Sequence, residues 1–212
     1  MRYENRQDAG KRLADVLHTA VGAEQDLVVL ALPRGGIVPA VEVAKALHTP
    51  LGIVFVRKIG HPGNPEYAIG AIAEGAAAVY NDAEVMDMSK EWLTAAETEA
   101  HNLNQRRRER YYHHDAPPDV RDKVVILVDD GIATGLTMLA SIHAMRAQHP
   151  KQVIVAVPVA PRDSIPELEH AADQVIVLDA SGDSGAVGSH YVDFPQVEDA
   201  EVMRYLQEVN HA

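Results

Sequence analysis

The fold is decided by the stretch Lys123-Val124-Val125-Ile126-Leu127-Val128-Asp129-Asp130-Gly131-Ile132-Ala133-Thr134-Gly135-Leu136-Thr137. Residues 124–128 are apolar and mostly β-branched, which predicts a strand buried on both faces. Two carboxylates, Asp129 and Asp130, follow at the carboxyl end of this strand. A loop of small and hydroxylated residues comes next, and from Thr137 apolar residues recur at helical spacing. The stretch therefore predicts a strand, an acidic pair, a small-residue loop and a helix, in that order.

This order of elements suits a sugar phosphate. In open α/β sheets, ligands bind beyond the carboxyl ends of the strands. Loop N–H groups and the start of the following helix attract phosphate, and Gly131 and Gly135 let the backbone approach it closely. Asp129 and Asp130 can accept hydrogen bonds from vicinal hydroxyls and can hold a hydrated divalent cation. A ribose 5-phosphate satisfies both halves of the pattern.

A second loop of the same kind lies near the N-terminus. Residues 27–32 predict a buried strand, and residues 37–47 predict a helix. Pro33-Arg34-Gly35-Gly36 lies between them. Paired glycines can aim backbone N–H groups at an anion, and the Arg34 guanidinium can fork onto phosphate oxygens. The loop is therefore a candidate for binding a second phosphate group.

Adjacent cations follow the next strand. Residues 51–56 predict a strand that ends at Arg57 and Lys58. Residues 59–65 contain two glycines and two prolines, which predicts an irregular loop. Two cations at the carboxyl end of a strand, beside two candidate anion loops, suit a polyphosphate.

At these residues the chain resembles a known family. Val125 to Thr137 is similar to the thirteen-residue phosphoribosyl pyrophosphate (PRPP) signature of type I phosphoribosyltransferases, and Arg34-Gly35-Gly36 matches the family's pyrophosphate loop. Residues 57–66 and 68–74 resemble a poorly characterised branch of that family. The resemblance implies an α/β fold of the type I class: a mainly parallel sheet of about five strands flanked by helices, with a small hood and a flexible loop. We expect residues 1–212 to form one such domain, with the hood built from parts of the N-terminal segment and of residues 180–212.

The resemblance also implies an activity and its residues. The protein would bind Mg–PRPP, transfer the phosphoribosyl group to a nitrogenous acceptor and release pyrophosphate. The catalytic residues would be Asp129, Asp130 and Lys58, and Asp129 would contact Mg²⁺ mostly through PRPP and water. The 5-phosphate would be held by Gly131, Ile132, Ala133, Thr134, Gly135, Leu136 and Thr137. The pyrophosphate would be held by Arg34, Gly35, Gly36 and Arg57.

Two other functions fit the same residues. A PRPP- or nucleotide-sensing regulator with this fold would bind without turnover, and a hydrolase or phosphorylase would use water or phosphate as the acceptor. The acceptor itself is not identified by the sequence, although Ala133 stands where enzymes acting on 6-oxopurines carry an aspartate. Tyr191 or Phe194 could stack on a planar acceptor or simply pack in the core. His61, Glu66 and Glu74 could close the flexible loop over PRPP or be ordinary solvated residues.

Composition limits the classes of partner and of chemistry that the protein can have. The 212 residues carry a formal net charge of −12 and include no cysteine, which disfavours general nucleic-acid binding and excludes thiolate chemistry. No apolar run approaches the length of a membrane span. We therefore expect a cytoplasmic protein with small-molecule partners and no nucleic-acid or membrane partner, and the resemblance implies a homodimer.

Three remaining motifs are less specific. Residues 89–112 predict a long polar helix with an arginine cluster near its end, which suits either the helix dipole or an anionic ligand. His113-His114-Asp115 could bind a metal, but adjacent histidines diverge on a helix or a strand. Residues 181–185 (Ser-Gly-Asp-Ser-Gly) match a serine-protease motif, which we reject because that motif belongs to all-β enzymes.

Overall fold

The computed structural model describes residues 2–24, 26–112, 116–181 and 186–210. The histidine pair at 113–114 and most of the 181–185 motif lie outside these ranges. The helices are α1 (Arg6–Val21), α2 (Ile37–Leu47), α3 (Asp82–Val85), α4 (Lys90–Tyr112), α5 (Leu136–Arg146), α6 (Ile165–Ala171) and α7 (Asp199–Asn210). The strands are β1 (Leu27–Ala31), β2 (Leu51–Ile53), β3 (Val56–His61), β4 (Asn64–Ala73), β5 (Val79–Tyr80), β6 (Val124–Val128), β7 (Gln152–Pro161) and β8 (Gln174–Ser181).

Five parallel strands form the main sheet, in the order β2-β1-β6-β7-β8. The two central strands pair with Val29 opposite Ile126 and Ala31 opposite Val128. Every residue of β1 and β6 is buried, as expected for a parallel sheet that is covered on both faces. The predicted α/β architecture of about five strands is therefore confirmed.

Helices cover the sheet on both sides. Helices α1, α2 and α7 pack against one face, where Val29 and Ile126 point into a core shared with Leu13 and Leu17. Helices α5 and α6 pack against the other face, where Val125 and its neighbours meet the side chains of α5. Alternate residues of each strand thus enter different cores, as the two-residue period of a strand requires.

The chain order creates a crevice at the centre of the sheet. From β1 the chain continues through α2 to β2 on one side, and from β6 it continues through α5 to β7 on the other. Helices α2 and α5 therefore leave the adjacent strands toward opposite faces. Such a switch point opens a crevice beyond the carboxyl ends of the strands, where α/β proteins bind their ligands.

A smaller antiparallel sheet corrects two sequence predictions. The predicted strand 51–56 is two strands, because β2 ends at Ile53 and the chain crosses to a second sheet, β3-β4-β5, at Val56. Arg57 and Lys58 therefore lie within β3 rather than after a strand. The predicted irregular loop 59–65 is a hairpin, in which His61 pairs with Asn64 across residues 62–63. Pro-Gly at that turn explains the tight connection.

Helix α4 packs on the smaller sheet. Trp92, Ala96 and Ala100 contact a small core formed with Ile69 and Ile72 of β4. The predicted N-cap is present, since the Ser89 hydroxyl accepts a hydrogen bond from the Trp92 N–H. Among the described residues, no helix combines the length and the hydropathy needed to cross a bilayer.

Candidate functional site

A cleft of about 590 Å³ lies over the switch point, between the loops that follow β1 and β6. The hairpin β3–β4 borders it on one side, and the segment after β8 borders it on another. It is lined by Arg6, Leu32, Pro33, Arg34, Gly35, Val56, Arg57, Lys58, Pro65, Ala68, Arg107, Asp129, Asp130, Gly131, Ala133, Thr134, Thr137, Val187 and Phe194. Both loops singled out from the sequence therefore reach one cleft.

The glycines of the loop after β1 lie against the acidic pair of the loop after β6. A Cβ added to Gly35 would overlap the Asp130 carboxylate, and one added to Gly36 would lie 2.8 Å from Asp129 Oδ1. The Gly36 position would also clash with the backbone oxygen of Leu32. Only residues without a side chain allow the loop after β1 to approach the acidic pair this closely. A cis peptide bond precedes Arg34 in the same loop.

The acidic pair is electrostatically unusual. Burial, and then the neighbouring Asp130 carboxylate, raise the pKa of Asp129 well above its ordinary value, while the Asp130 N–H and the Lys58 ammonium lower it in part. The Asp130 N–H donates to Asp129 Oδ1 at 2.8 Å. Ionisation of Asp129 is therefore unfavourable, because its carboxylate lies partly buried in the cleft and next to another acid.

Asp130 is tied to the N-terminal helix and to the segment after β8. Its Oδ2 accepts a hydrogen bond from Arg6 Nε at 2.5 Å. Its backbone oxygen accepts a hydrogen bond from the Tyr191 hydroxyl, also at 2.5 Å. Tyr191 is buried, and its ring stacks on Phe194 with centroids 4.8 Å apart. The second acid is therefore held through both its side chain and its backbone.

Helix α5 begins at the cleft. Gly135 caps it with no side-chain hydrogen bond, and its φ of 80° turns the loop into the helix. The Ile132 N–H donates to Val159 O, which anchors the loop to β7. The first-turn N–H groups have no partner within the helix, and Thr134 and Thr137 line the cleft beside them. This end of the cleft offers backbone and hydroxyl donors together with the positive end of the helix dipole.

Cations surround the acidic pair. Arg34, Arg57, Lys58 and Arg107 line the cleft from three different elements. Arg34 lies 3.5 Å from Glu198 and 4.0 Å from an Asp199 oxygen at the start of α7. The arginines near the end of α4 have different surroundings. Arg107 lines the cleft, whereas Arg108 pairs with Glu74 and Arg110 pairs with Asp199.

The structure brings most of the predicted site residues together, with some exceptions. Gly36, Ile132, Gly135 and Leu136 support the two loops without lining the cleft. Phe194 lines the cleft, whereas Tyr191 is buried behind it. Two candidates for loop closure, His61 and Glu74, do not line the cleft: His61 accepts a hydrogen bond from the Gly63 N–H, and Glu74 pairs with Arg108. The side chain of the third candidate, Glu66, lies outside the described part of the structure. The Pro65 and Ala68 positions of β4 border the cleft instead.

Sequence reasoning overlooked Arg6. It occupies the first turn of α1, where the helix dipole favours acidic side chains. A cation at this position is unfavourable for an isolated helix and therefore indicates a partner elsewhere in the fold. That partner is Asp130, 124 positions along the chain.

Comparison of the chain with known protein families identifies the family to which it belongs. The model of the phosphoribosyl transferase domain matches residues 2–191. The chain belongs to the phosphoribosyltransferase family. It is 38% identical over 206 residues to a Mycobacterium tuberculosis H37Rv protein named "Putative phosphoribosyl transferase", covering 96% of this chain and 46% of that protein. The chain thus spans about half the length of the curated relatives it matches.

A solved structure has the same fold over nearly all of this phosphoribosyltransferase chain. TT1426 from Thermus thermophilus superposes with a TM-score of 0.83 at 38% identity, over 98% of this chain and 99% of that one. A shorter match, 29% identical over 83 residues and covering 39% of each chain, is to the uracil phosphoribosyltransferase of Acinetobacter baylyi. The family and the fold class implied by the sequence are both confirmed.

Proposed function

We propose that this phosphoribosyltransferase binds Mg–PRPP in the cleft, transfers the phosphoribosyl group to a nitrogenous acceptor and releases pyrophosphate. One observation carries the proposal: Gly35 and Gly36 lie directly against Asp130 and Asp129. Two anion-binding loops that touch at an acidic pair suit a single sugar with a phosphate on either side of its hydroxyls.

The 5-phosphate would lie at the start of α5. Loop 131–137 supplies backbone N–H groups, the Thr134 and Thr137 hydroxyls and the positive end of the helix dipole. The contribution of Ile132 is indirect, because its N–H holds the loop to β7. Gly131, Ala133, Gly135 and Leu136 belong to the same proposed loop.

The ribose would lie over the acidic pair. Asp129 and Asp130 accept hydrogen bonds from its vicinal hydroxyls. Positive charge develops at the ribosyl carbon as the bond to pyrophosphate breaks, and the two carboxylates stabilise it from a fixed position. Their preorganisation requires no rearrangement of solvent at the moment of reaction.

The pyrophosphate would lie among the cations. Arg34, Arg57, Lys58 and Arg107 reach the cleft from three elements, and the glycine loop adds backbone donors. Arg34 would exchange its long contact with Glu198 for a phosphate oxygen. Charge that accumulates on the leaving group is neutralised by these side chains.

The donors fit magnesium as a companion of PRPP. Within the described ranges, no group of three or more His, Cys, Asp or Glu side chains could hold a metal alone. Mg²⁺ is commonly bound by one or two carboxylates together with substrate phosphates and water, and we assign this contact to Asp129 because Arg6 already offsets the charge of Asp130. Bound there, Mg²⁺ would add positive charge to the leaving group.

Thermal denaturation and pyrophosphate release test the proposal together. Saturating Mg–PRPP is expected to raise the melting temperature, because a ligand that binds only the native state stabilises it. A panel of nitrogenous bases is then screened for pyrophosphate release. Asp130→Asn is expected to abolish release while the folded structure persists.

The control is Asp119→Asn, a neutralised carboxylate on an exposed residue before β6, away from the cleft. It should match the parent protein in both assays. No thermal shift with Mg–PRPP would contradict the proposed binding. A shift without pyrophosphate release from any base would favour a sensing role over catalysis.

A further inference from the structure

Asp130 is gripped by residues from two distant parts of the chain. Arg6 Nε donates to its carboxylate, and the Tyr191 hydroxyl donates to its backbone oxygen, each at 2.5 Å. Arg6 begins α1, whereas Tyr191 follows β8. The two segments also pair directly, since Tyr3 and Tyr191 form a parallel bridge. The second acid of the site is therefore fixed by elements outside its own loop.

Arg6 is itself immobilised. Its side chain is only 9% exposed, its Nη1 donates to Pro195 O at 2.6 Å, and its guanidinium carbon lies 3.5 Å from the centroid of the Phe194 ring. Such a cation over an aromatic face is attracted by the ring quadrupole. The charged group that meets Asp130 is thus held by a backbone oxygen and by an aromatic ring at once.

The support continues behind Phe194. Tyr191 stacks on Phe194 with centroids 4.8 Å apart, and Tyr3 packs on Tyr191 at 5.5 Å. The Arg6 guanidinium and the Tyr191 ring therefore both pack on Phe194. Phe194 connects the charged group that meets Asp130 to the two buried tyrosines.

We propose that Arg6 is a positioning residue for Asp130, an inference that rests on the proposed function. By occupying Oδ2, Arg6 fixes the carboxylate plane and leaves Oδ1 for a ribose hydroxyl. Its charge also offsets one of the two adjacent acids. A lysine cannot reproduce this arrangement, because an ammonium group offers neither the planar fork nor the stacking face.

The role predicts a difference between two ligands. Ribose 5-phosphate has the hydroxyls that Asp130 would accept, whereas pyrophosphate has none. Loss of Arg6 should therefore weaken ribose 5-phosphate binding more than Mg–pyrophosphate binding, because only the sugar would depend on the orientation of the Asp130 carboxylate. A general loss of structure would weaken both ligands together.

The experiment measures both dissociation constants by calorimetry for the parent chain and for Arg6→Met. We expect the affinity for ribose 5-phosphate to fall by about tenfold, as when a hydrogen bond to a charged group is lost. The matched control is Arg12→Met, which removes an arginine from the same helix. Arg12 pairs with Asp8 and lies over Tyr3 at 5.3 Å, without contacting Asp130. It should bind both ligands like the parent.

Arg6→Lys keeps the charge and serves if the methionine variant fails to fold. It should show a smaller loss for ribose 5-phosphate and none for Mg–pyrophosphate. Unchanged ribose 5-phosphate binding in a folded Arg6 variant, or an equal loss for both ligands, would overturn the positioning role. If the parent chain binds neither ligand, the proposed function itself fails, and this inference fails with it.

Discussion

An aspartate at each edge of the main sheet has a shifted pKa, and the two shifts have opposite directions. At the carboxyl edge, burial and a neighbouring acid raise the pKa of Asp129. At the amino edge, burial also acts to raise the pKa of Asp173, but Arg146 and the Val153 N–H outweigh it, and that pKa is lowered. The same residue type is thus destabilised when charged at one edge and stabilised at the other.

Burial and neighbouring groups together explain the difference. Asp173 accepts a hydrogen bond from the Val153 N–H and pairs with Arg146, both at 2.7 Å. The amino edge also carries the Lys151–Glu24 ion pair, so its charges meet partners of opposite sign. At the carboxyl edge two acids lie side by side, Asp130 pairs with Arg6, and four further cations line the same cleft. The amino edge thus balances Asp173 with an arginine, whereas the carboxyl edge keeps Asp129 beside a second acid, a type of shifted pKa that is common at functional sites.

The largest expected effect comes from Gly36→Ala, which would disrupt the contact between the two loops at the carboxyl edge. Gly36 has an ordinary helical φ of −62°, so alanine fits its backbone conformation and the defect is purely steric. The added methyl would clash with Leu32 O and press on Asp129 Oδ1. We expect a loss of stability on the order of 2 kcal/mol, as for overpacking, and loss of Mg–pyrophosphate binding, measured by denaturant unfolding and calorimetry.

Gly63→Ala is the control for this change. Gly63 lies at the tip of the hairpin, where an added methyl meets only the His61 ring at 3.3 Å. The control should bind pyrophosphate like the parent. If Gly36→Ala also keeps that affinity, the contact between the two loops is not needed for binding, and the difference between the edges would need another explanation.

The main sheet and both loops could be predicted from the sequence because their signals are local. Residues 124–128 are a continuous apolar run, and the residues that follow them combine acids, glycines and threonines in an order that packing does not require. Strand β3 gave a weaker signal, since Arg57 and Lys58 interrupt its apolar residues and its pairing with β4 depends on tertiary context.

The role of Arg6 could not be predicted from local sequence patterns, for a related reason. Its role is defined by Asp130 and Phe194, which lie in distant parts of the chain. A local pattern shows only that a cation stands at the start of a helix. The two loops that line the cleft were therefore predictable from the sequence, whereas the contact between Arg6 and Asp130 required the fold.

Asp129→Asn tests the carboxyl edge by removing the unfavourable negative charge. A raised folded-state pKa means that the unfolded chain ionises at lower pH, so ionisation of Asp129 opposes folding as pH rises. Below an unfolded-state pKa of about 4 the variant and the parent should be equally stable. At neutral pH, without magnesium, the variant should be more stable by on the order of 1 kcal/mol. Urea unfolding across pH measures this gain, and a loss of stability at neutral pH would contradict it.

Asp173→Asn should give the smallest effect, with the opposite sign. A lowered folded-state pKa stabilises the native state above the unfolded-state pKa of about 4, and this contribution disappears as pH falls through the folded-state value. The amide oxygen can still accept the Val153 N–H, so only the charge is lost. Asp173 and Arg146 are 37% and 39% exposed, and solvent screening limits the expected loss to about 0.5 kcal/mol at neutral pH.

Varying the ionic strength distinguishes a loss of charge pairing in Asp173→Asn from a packing effect. The loss caused by Asp173→Asn should shrink as ionic strength rises, because an exposed ion pair is screened, and it should vanish in acid. Arg146→Gln provides a matched check, since it removes the other partner and should cost a similar amount. If Asp173→Asn instead stabilised the protein at neutral pH, as expected for Asp129→Asn, the two edges would not differ in how they hold their acids. Opposite pH dependences for the two variants would show that burial beside a second acid at the cleft, and pairing with an arginine at the amino edge, distinguish the two aspartates.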